Sequence, residues 1–182
     1  KAQFVSKHDY TPGIYNGFAH PYTPIIKNTN SELIEMSSWG LIPSWSKDTS
    51  YRKNTINARI ETIAEKPSFK KHITQRCLIL LNGFYEWEWL DEKGKKKQKY
   101  LLSMGETGFA LAGLWNEWTD VSTGEIIPNY TILTTEATEQ MARIHRKKRM
   151  PMVLTKEEEN YWLMGQEIDT DRKHIVIEET KM

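Results

Sequence analysis

"RCLILLNGFYEWEWL", residues 76–90, decides how this chain folds. It opens on Cys77-Leu78-Ile79-Leu80-Leu81, a continuous apolar run of strand length. Such a run suits a strand buried on both faces. After Asn82-Gly83 the pattern changes to strict alternation. Phe84, Glu86 and Glu88 point to one face of a strand, and Tyr85, Trp87 and Trp89 to the other. The polar turn "DEKGKKK" (91–97) and the run "QKYLLSM" (98–104) then predict a β-hairpin. Carboxylates inside the most aromatic stretch of the chain raise a chemical question. Each must reach water, find a partner or hold a proton.

Working outward, "ELIEMSSWGLIPSW" predicts a strand over 33–39 that breaks into a loop at Gly40 and Pro43, and "GFALAGLWNEW" and "NYTILTT" predict two more strands. Residues 1–31, punctuated by Pro12, Gly13, Gly17, Pro21 and Pro24, read as irregular. "NARIETIAEK" (57–66) reads as a short helix ending before Pro67, and "SFKKHITQ" (68–75) as a second. Residues 136–143 read as a helix with Thr135 as N-cap and Met141 and Ile144 turned inward. "TKEEENYWLMG" carries a capping box, Thr155 with Glu158, and the tail from Ile168 adds an edge strand. Runs of strands with helices inserted predict an α+β fold: one domain over 1–182, with a mainly antiparallel, barrel-like core and peripheral helices.

The chain has 182 residues and a net charge of +1, so anion binding must come from a local patch rather than the whole surface. Its single cysteine, Cys77, excludes an internal disulfide and a CxxC-type zinc site, and its apolar strand setting marks it as core. No Gly-rich phosphate loop or metal cluster is present, so no cofactor and no metal are expected. No apolar run approaches the ~18 residues of a membrane span, and the expectation is a cytoplasmic monomer without a membrane partner. Seven tryptophans are the unusual feature; most suit the core, and one or two at the surface suit stacking or wedging against nucleic-acid bases.

Three clusters carry chemistry. Glu86 among rings is either a solvated strand residue or a shielded carboxylate with a raised pKa, able to move a proton near neutrality. Asn57, Arg59 and Glu61 form either an ordinary capped surface or an anion site. His145 precedes Arg146, Lys147, Lys148 and Arg149, a basic run whose neighbouring histidine points to phosphate.

In order along the chain, "WGLIPSW", "NARIET", "KPSF", "RCLILLNGFYEWE", "ALAGLW", "TILTTEA" and "RMPMVL" closely resemble the SRAP family, the SOS-response-associated peptidase-like proteins, from about Tyr15 to about Leu154. The resemblance implies a DNA-damage protein, cytoplasmic and nucleoid-associated in bacteria and nuclear in eukaryotes. Such a protein binds single-stranded DNA and links covalently to abasic sites through an N-terminal cysteine, exposed by removal of the initiator Met. It implies Asn57, Glu86 and His145 as active-site residues, Arg59 and Arg149 on the DNA backbone with Lys148 beside them, and Trp45 in a wedging loop. Two departures accompany it. The chain starts at Lys1 with no cysteine near, so the segment carrying the nucleophile is expected to be missing from it. His145 also stands further from Arg149 than the family's His-x-Arg-Met-Pro, which leaves His145 or Lys147 for the histidine's place. Two other readings stay open: a non-covalent module for single-stranded or modified nucleic acid, and an N-terminal-cysteine peptidase limited to self-processing.

Overall fold

The computed structural model describes residues 3–4, 10–105, 108–172 and 177–182. In chain order the strands begin with β1 (Gln3–Phe4), β2 (Tyr22–Lys27), β3 (Asn30–Trp39), β4 (Asn57–Arg59), β5 (Arg76–Leu81) and β6 (Phe84–Trp89). They continue with β7 (Lys97–Ser103), β8 (Phe109–Thr119), β9 (Ile126–Glu136), β10 (Arg149–Pro151), β11 (Val153–Leu154) and β12 (Glu178–Lys181). The helices are α1 (Glu139–Ile144) and α2 (Lys156–Leu163).

Strands β3, β2, β5, β8 and β9 pair in that order, and β9 returns to β3 through Ser38↔Asn129 and Trp39↔Tyr130, closing a barrel. Closure leaves these strands no free edge at that seam. The pairings along the wall are antiparallel, but the closing β3–β9 contact is parallel, so the barrel is mixed.

The apolar run at 77–80 feeds both faces of the wall. Cys77 and Ile79 join one cluster with Leu111, Trp115, Tyr130 and Ile132, while Leu78 joins another with Ala110, Ala112, Leu114 and Leu133. Trp162 of α2 packs in the second cluster, and its indole N–H donates to the carbonyl of Cys77 at 3.1 Å. That face is therefore the outer one, and the first cluster fills the barrel. It continues into Tyr100 and Leu102 of β7 and Met141 and Ile144 of α1.

The long strand-forming stretch is two strands in two sheets. It breaks at Asn82-Gly83: β5 belongs to the barrel, and β6 forms a three-stranded sheet in the order β12-β7-β6. A Cβ on Gly83 would lie 2.9 Å from the Leu102 carbonyl, so the crossing requires glycine. The hairpin β6–β7 and the edge strand β12 stand as the sequence predicts; residues 173–176 of the tail lie outside the described residues.

Four expectations are corrected. "NARIET" is a strand followed by a single 3-10 turn (Ile60–Thr62), because Asn57–Arg59 pairs in parallel with Ile132–Thr134 of β9. Pairing across the sheet overrides a helical preference in so short a segment. Residues 68–75 form successive turns rather than a helix. The N-terminal region carries β2, with Pro24 just ahead of the β5 pairing that starts at Ile25; the part of that expectation falling on residues 1–2 and 5–9 lies outside the described residues. The helix after β9 starts at Glu139, capped by Thr138 rather than Thr135, whose place is in the strand. Its inward residues, Met141 and Ile144, are buried, and the capping box of Thr155 and Glu158 opens α2.

Candidate active site

The faces of β6 are the reverse of a simple amphipathic strand. Phe84, Glu86 and Glu88 pair with Leu102, Tyr100 and Gln98, and Tyr100 and Leu102 are core residues. The carboxylates thus share the inward face. Trp87 and Trp89, paired with Lys99 and Lys97, are 45% and 36% exposed. Glu88, expected as a solvated neighbour, instead accepts a hydrogen bond from the Tyr100 hydroxyl at 2.7 Å. Burial pushes Glu86 up to about 7, opposed only by the backbone N–H of Trp87. A carboxyl group so placed is part protonated at neutral pH and can both give and take a proton.

His145 caps the C-terminus of α1, and its backbone N–H donates to the carbonyl of Met141 at 2.8 Å. The chain then turns tightly. The N–H of Lys148 donates to the His145 carbonyl at 2.7 Å, with Lys148 at a φ of 50°. This turn absorbs the extra residues before Arg149 and returns the backbone N–H of Arg149 to Nδ1 of His145, at 3.3 Å. An accepting Nδ1 puts the proton of the neutral ring on Nε2. Partial burial and the charges of Lys147 and Arg149 lower the pKa of His145 and favour that neutral form.

Because α1 packs against β6, the two groups line one cleft. This cleft, of about 500 Å³, is lined by Glu86, Trp87, Trp89, Lys97, His145, Arg146 and Lys147. Both candidates for the histidine's place therefore line it, but only His145 carries the hydrogen bond that fixes its ring. The other expected residues lie elsewhere. Asn57 and Arg59 are exposed on β4, with Ala58 between them buried. Trp45, 50% exposed, stands edge-on to Tyr51 at 4.9 Å. Lys148 is exposed at the left-handed position of the turn.

Arg149, expected on a DNA backbone, has its guanidinium occupied. It forks onto Glu61 with Nη1–Oε1 at 2.9 Å and Nη2–Oε2 at 2.8 Å, and Nη2 also donates to the Thr134 carbonyl at 2.7 Å. The fork spans β9 from the segment after β4 to β10. Cys77 is fully buried and its thiol pKa is raised, so it is no nucleophile. Sequence reading named Arg146 and Lys147 in the basic run but missed Lys97, the third cation of the cleft. The signal lay in the hairpin register, which sets Lys97 opposite Trp89.

A sequence profile described as SOS response associated peptidase (SRAP) matches residues 2–182. The chain belongs to the SRAP family. It is 38% identical over 170 residues to the abasic site processing protein YoqW of Bacillus subtilis, covering 93% of this chain and 74% of that protein. It is 28% identical over 184 residues to the abasic site processing protein HMCES of Pongo abelii, covering 85% of this chain and about half (51%) of that one. A crystal structure of a Bacteroides thetaiotaomicron protein superposes with a TM-score of 0.78 at 34% identity, covering 92% of this chain and 76% of the other. One from Bordetella bronchiseptica shares the fold, with a TM-score of 0.77 at 21% identity over 97% of this chain and 90% of that one.

Proposed function

We propose that this domain processes abasic sites in single-stranded DNA, forming a covalent link to the lesion sugar. The observation that carries the reading is the shared cleft. It sets a carboxyl group with a pKa of about 7 and a neutral histidine beside exposed tryptophans and cations. That relatives in the family are abasic site processing proteins supports the choice of lesion.

An abasic deoxyribose is mostly a closed hemiacetal, which must open to its aldehyde. Both the opening and the attack on C1′ need proton transfer, which Glu86 supplies. The resemblance assigns the nucleophile to the α-amine of an N-terminal cysteine. An α-amine with a pKa near 7.7–8.0 is partly neutral at physiological pH. It adds to the aldehyde carbon, and the carbinolamine oxygen leaves as water on protonation to give an imine. The thiol of the same cysteine then adds to the imine carbon, its proton passing to nitrogen, and closes a five-membered thiazolidine. The net change is loss of one water. His145, which lines the cleft with its ring proton on Nε2, orients the amine and the sugar oxygens, while Arg59, Lys148 and Trp45 contact the flanking strand. The same Glu86 serves removal of an initiator Met ahead of the cysteine.

The test is a protein carrying Met-Cys ahead of this domain, incubated with abasic single-stranded DNA and run on a denaturing gel. A heat-stable shifted band, absent when that cysteine is replaced by Ala, is expected. No shifted band in a correctly processed, folded protein would refute the proposal.

A further inference from the structure

We infer that Arg146, Lys97 and Lys147 form the phosphate clamp of the cleft, holding a phosphodiester of the strand beside Glu86 and His145. The inference rests on the reading of the cleft as a DNA site and names the groups that hold the backbone there.

The argument begins with charge. The guanidinium of Arg149 is paired with Glu61, so its charge is neutralised where it stands. Among the described residues, no carboxylate forms an ion pair with Lys97, Arg146 or Lys147. All three are exposed and line the cleft, in which Glu86 is the one acid among the described residues. Of the acids in the adjoining hollow, Asp91 is occupied by the backbone N–H groups of Lys95 and Lys96, at 3.0 and 2.7 Å. The second, Glu92, lies in the turn outside the cleft with Glu86.

Position supplies the second argument. The guanidinium of Arg146 lies 4.4 Å from the centroid of the Trp89 ring, and Nζ of Lys97 lies 5.0 Å from it. One indole thus holds two cations, and among the described residues no carboxylate forms an ion pair with either. Stacking on a ring restrains an arginine while leaving its N–H groups free to meet a phosphate. Arg146 and Lys147 stand in the turn closed by the Lys148 N–H on the His145 carbonyl, and both line this wall. A phosphodiester is the matching ligand: it is anionic at every working pH and offers two unshared oxygens to a guanidinium and an ammonium.

The experiment measures affinity for a fluorescein-labelled single strand carrying one stable abasic analogue, by anisotropy, over rising potassium chloride. Arg146→Ala and Lys97→Ala are each expected to weaken binding several-fold and to flatten the salt slope by about 0.7, the value for one phosphate contact on a single strand. Trp89→Leu, which frees Arg146, should weaken binding, and Trp89→Phe should restore most of it. Lys71→Ala, on the turns ahead of β5, should leave both quantities unchanged. Slopes equal to wild type in folded Arg146→Ala and Lys97→Ala would overturn the clamp while leaving the cleft's DNA role standing. A wild-type protein that binds no single strand would overturn both.

Discussion

The backbone N–H of Arg149 donates to Nδ1 of His145 at 3.3 Å, while the side chain of the same arginine forks onto Glu61. One residue thus ties the histidine's tautomer to the "NARIET" segment on the other side of β9. Glu61→Gln keeps the shape but loses the charge and one arm of the fork. The Glu61 carboxylate is 37% exposed, so water screens the pair, and the expected loss is only about 1 kcal/mol, read as a lower Tm. Partial burial acts against ionisation of Glu61, but the hydrogen bonds and charge of Arg149 hold its pKa below the ordinary 4.5. The folded state therefore binds the proton less tightly than the unfolded chain, and the pair's stabilisation is present above about pH 4.5 and fades below it. The Tm difference between wild type and Glu61→Gln should shrink in acid. Nitrogen NMR of His145 should move from one tautomer to a mixture in the variant; an unmoved spectrum would leave Glu61 with a purely structural role.

Glu86→Gln separates proton transfer from packing. Burial raises this carboxyl from 4.5 to about 7, so the folded state holds the proton more tightly than the unfolded chain. The stability that Glu86 contributes is then fully present below about pH 4.5 and is lost as pH rises through 7. The ionised group costs about 2 kcal/mol above that, after discounting for partial exposure. Gln carries no such penalty. The variant should match wild type near pH 4.5, melt higher at pH 8, and form the abasic-site adduct about 10² to 10⁴ slower. A variant that melts lower at pH 8, or crosslinks at the wild-type rate, contradicts the assignment.

Much of the framework was legible because strand signals in this chain are long and periodic. The run at 76–81 and the alternation at 84–89 gave the two strands, and the Thr155–Glu158 box gave the start of α2. What could not be read was which sheet each strand joins. That is decided at Asn82-Gly83 by a close approach to Leu101 and Leu102, residues nearly twenty positions on. Asn57–Arg59 became a strand for a similar reason: its partner lies in β9, far along the chain. At the candidate site, the alternation indicated two faces for β6 but not which of them faces inward. The pairing of Arg149 with Glu61 depends on contacts across β9 that no local pattern encodes.

Gly113 tests the barrel wall. A Cβ there would stand 2.3 Å from Cδ1 of Ile79 and 2.7 Å from the carbonyl of Thr131, inside the packed interior. Gly113→Ala should cost about 1–3 kcal/mol, through displaced side chains and a strained β8–β9 ladder. Chemical denaturation would report it as a lower midpoint. Ile79→Val in the same chain should recover part of the loss, because the nearest clash is with the methyl it removes. Failure of Gly113→Ala to destabilise would mean that the wall yields at this point.

Arg149 and Arg59 share the motif resemblance but differ in surroundings, and the difference is measurable. Arg59 is exposed, and no carboxylate forms an ion pair with it among the described residues, whereas Arg149 is forked onto Glu61 with its side chain only 14% exposed. If both held DNA phosphates, Arg59→Ala and Arg149→Gln would each flatten the salt dependence of single-strand binding by about 0.7. The geometry gives a different expectation. Arg59→Ala should flatten the slope and leave stability within about 0.5 kcal/mol of wild type, as exposed substitutions do. Arg149→Gln should leave the slope unchanged, because its charge is already matched by Glu61. It should lower Tm, because Glu61 and the Thr134 carbonyl lose their donors together. A double-mutant cycle with Glu61→Gln completes the test: the second substitution should add little once the first is made. Additive losses, or a flatter slope in Arg149→Gln, would return Arg149 to the DNA backbone.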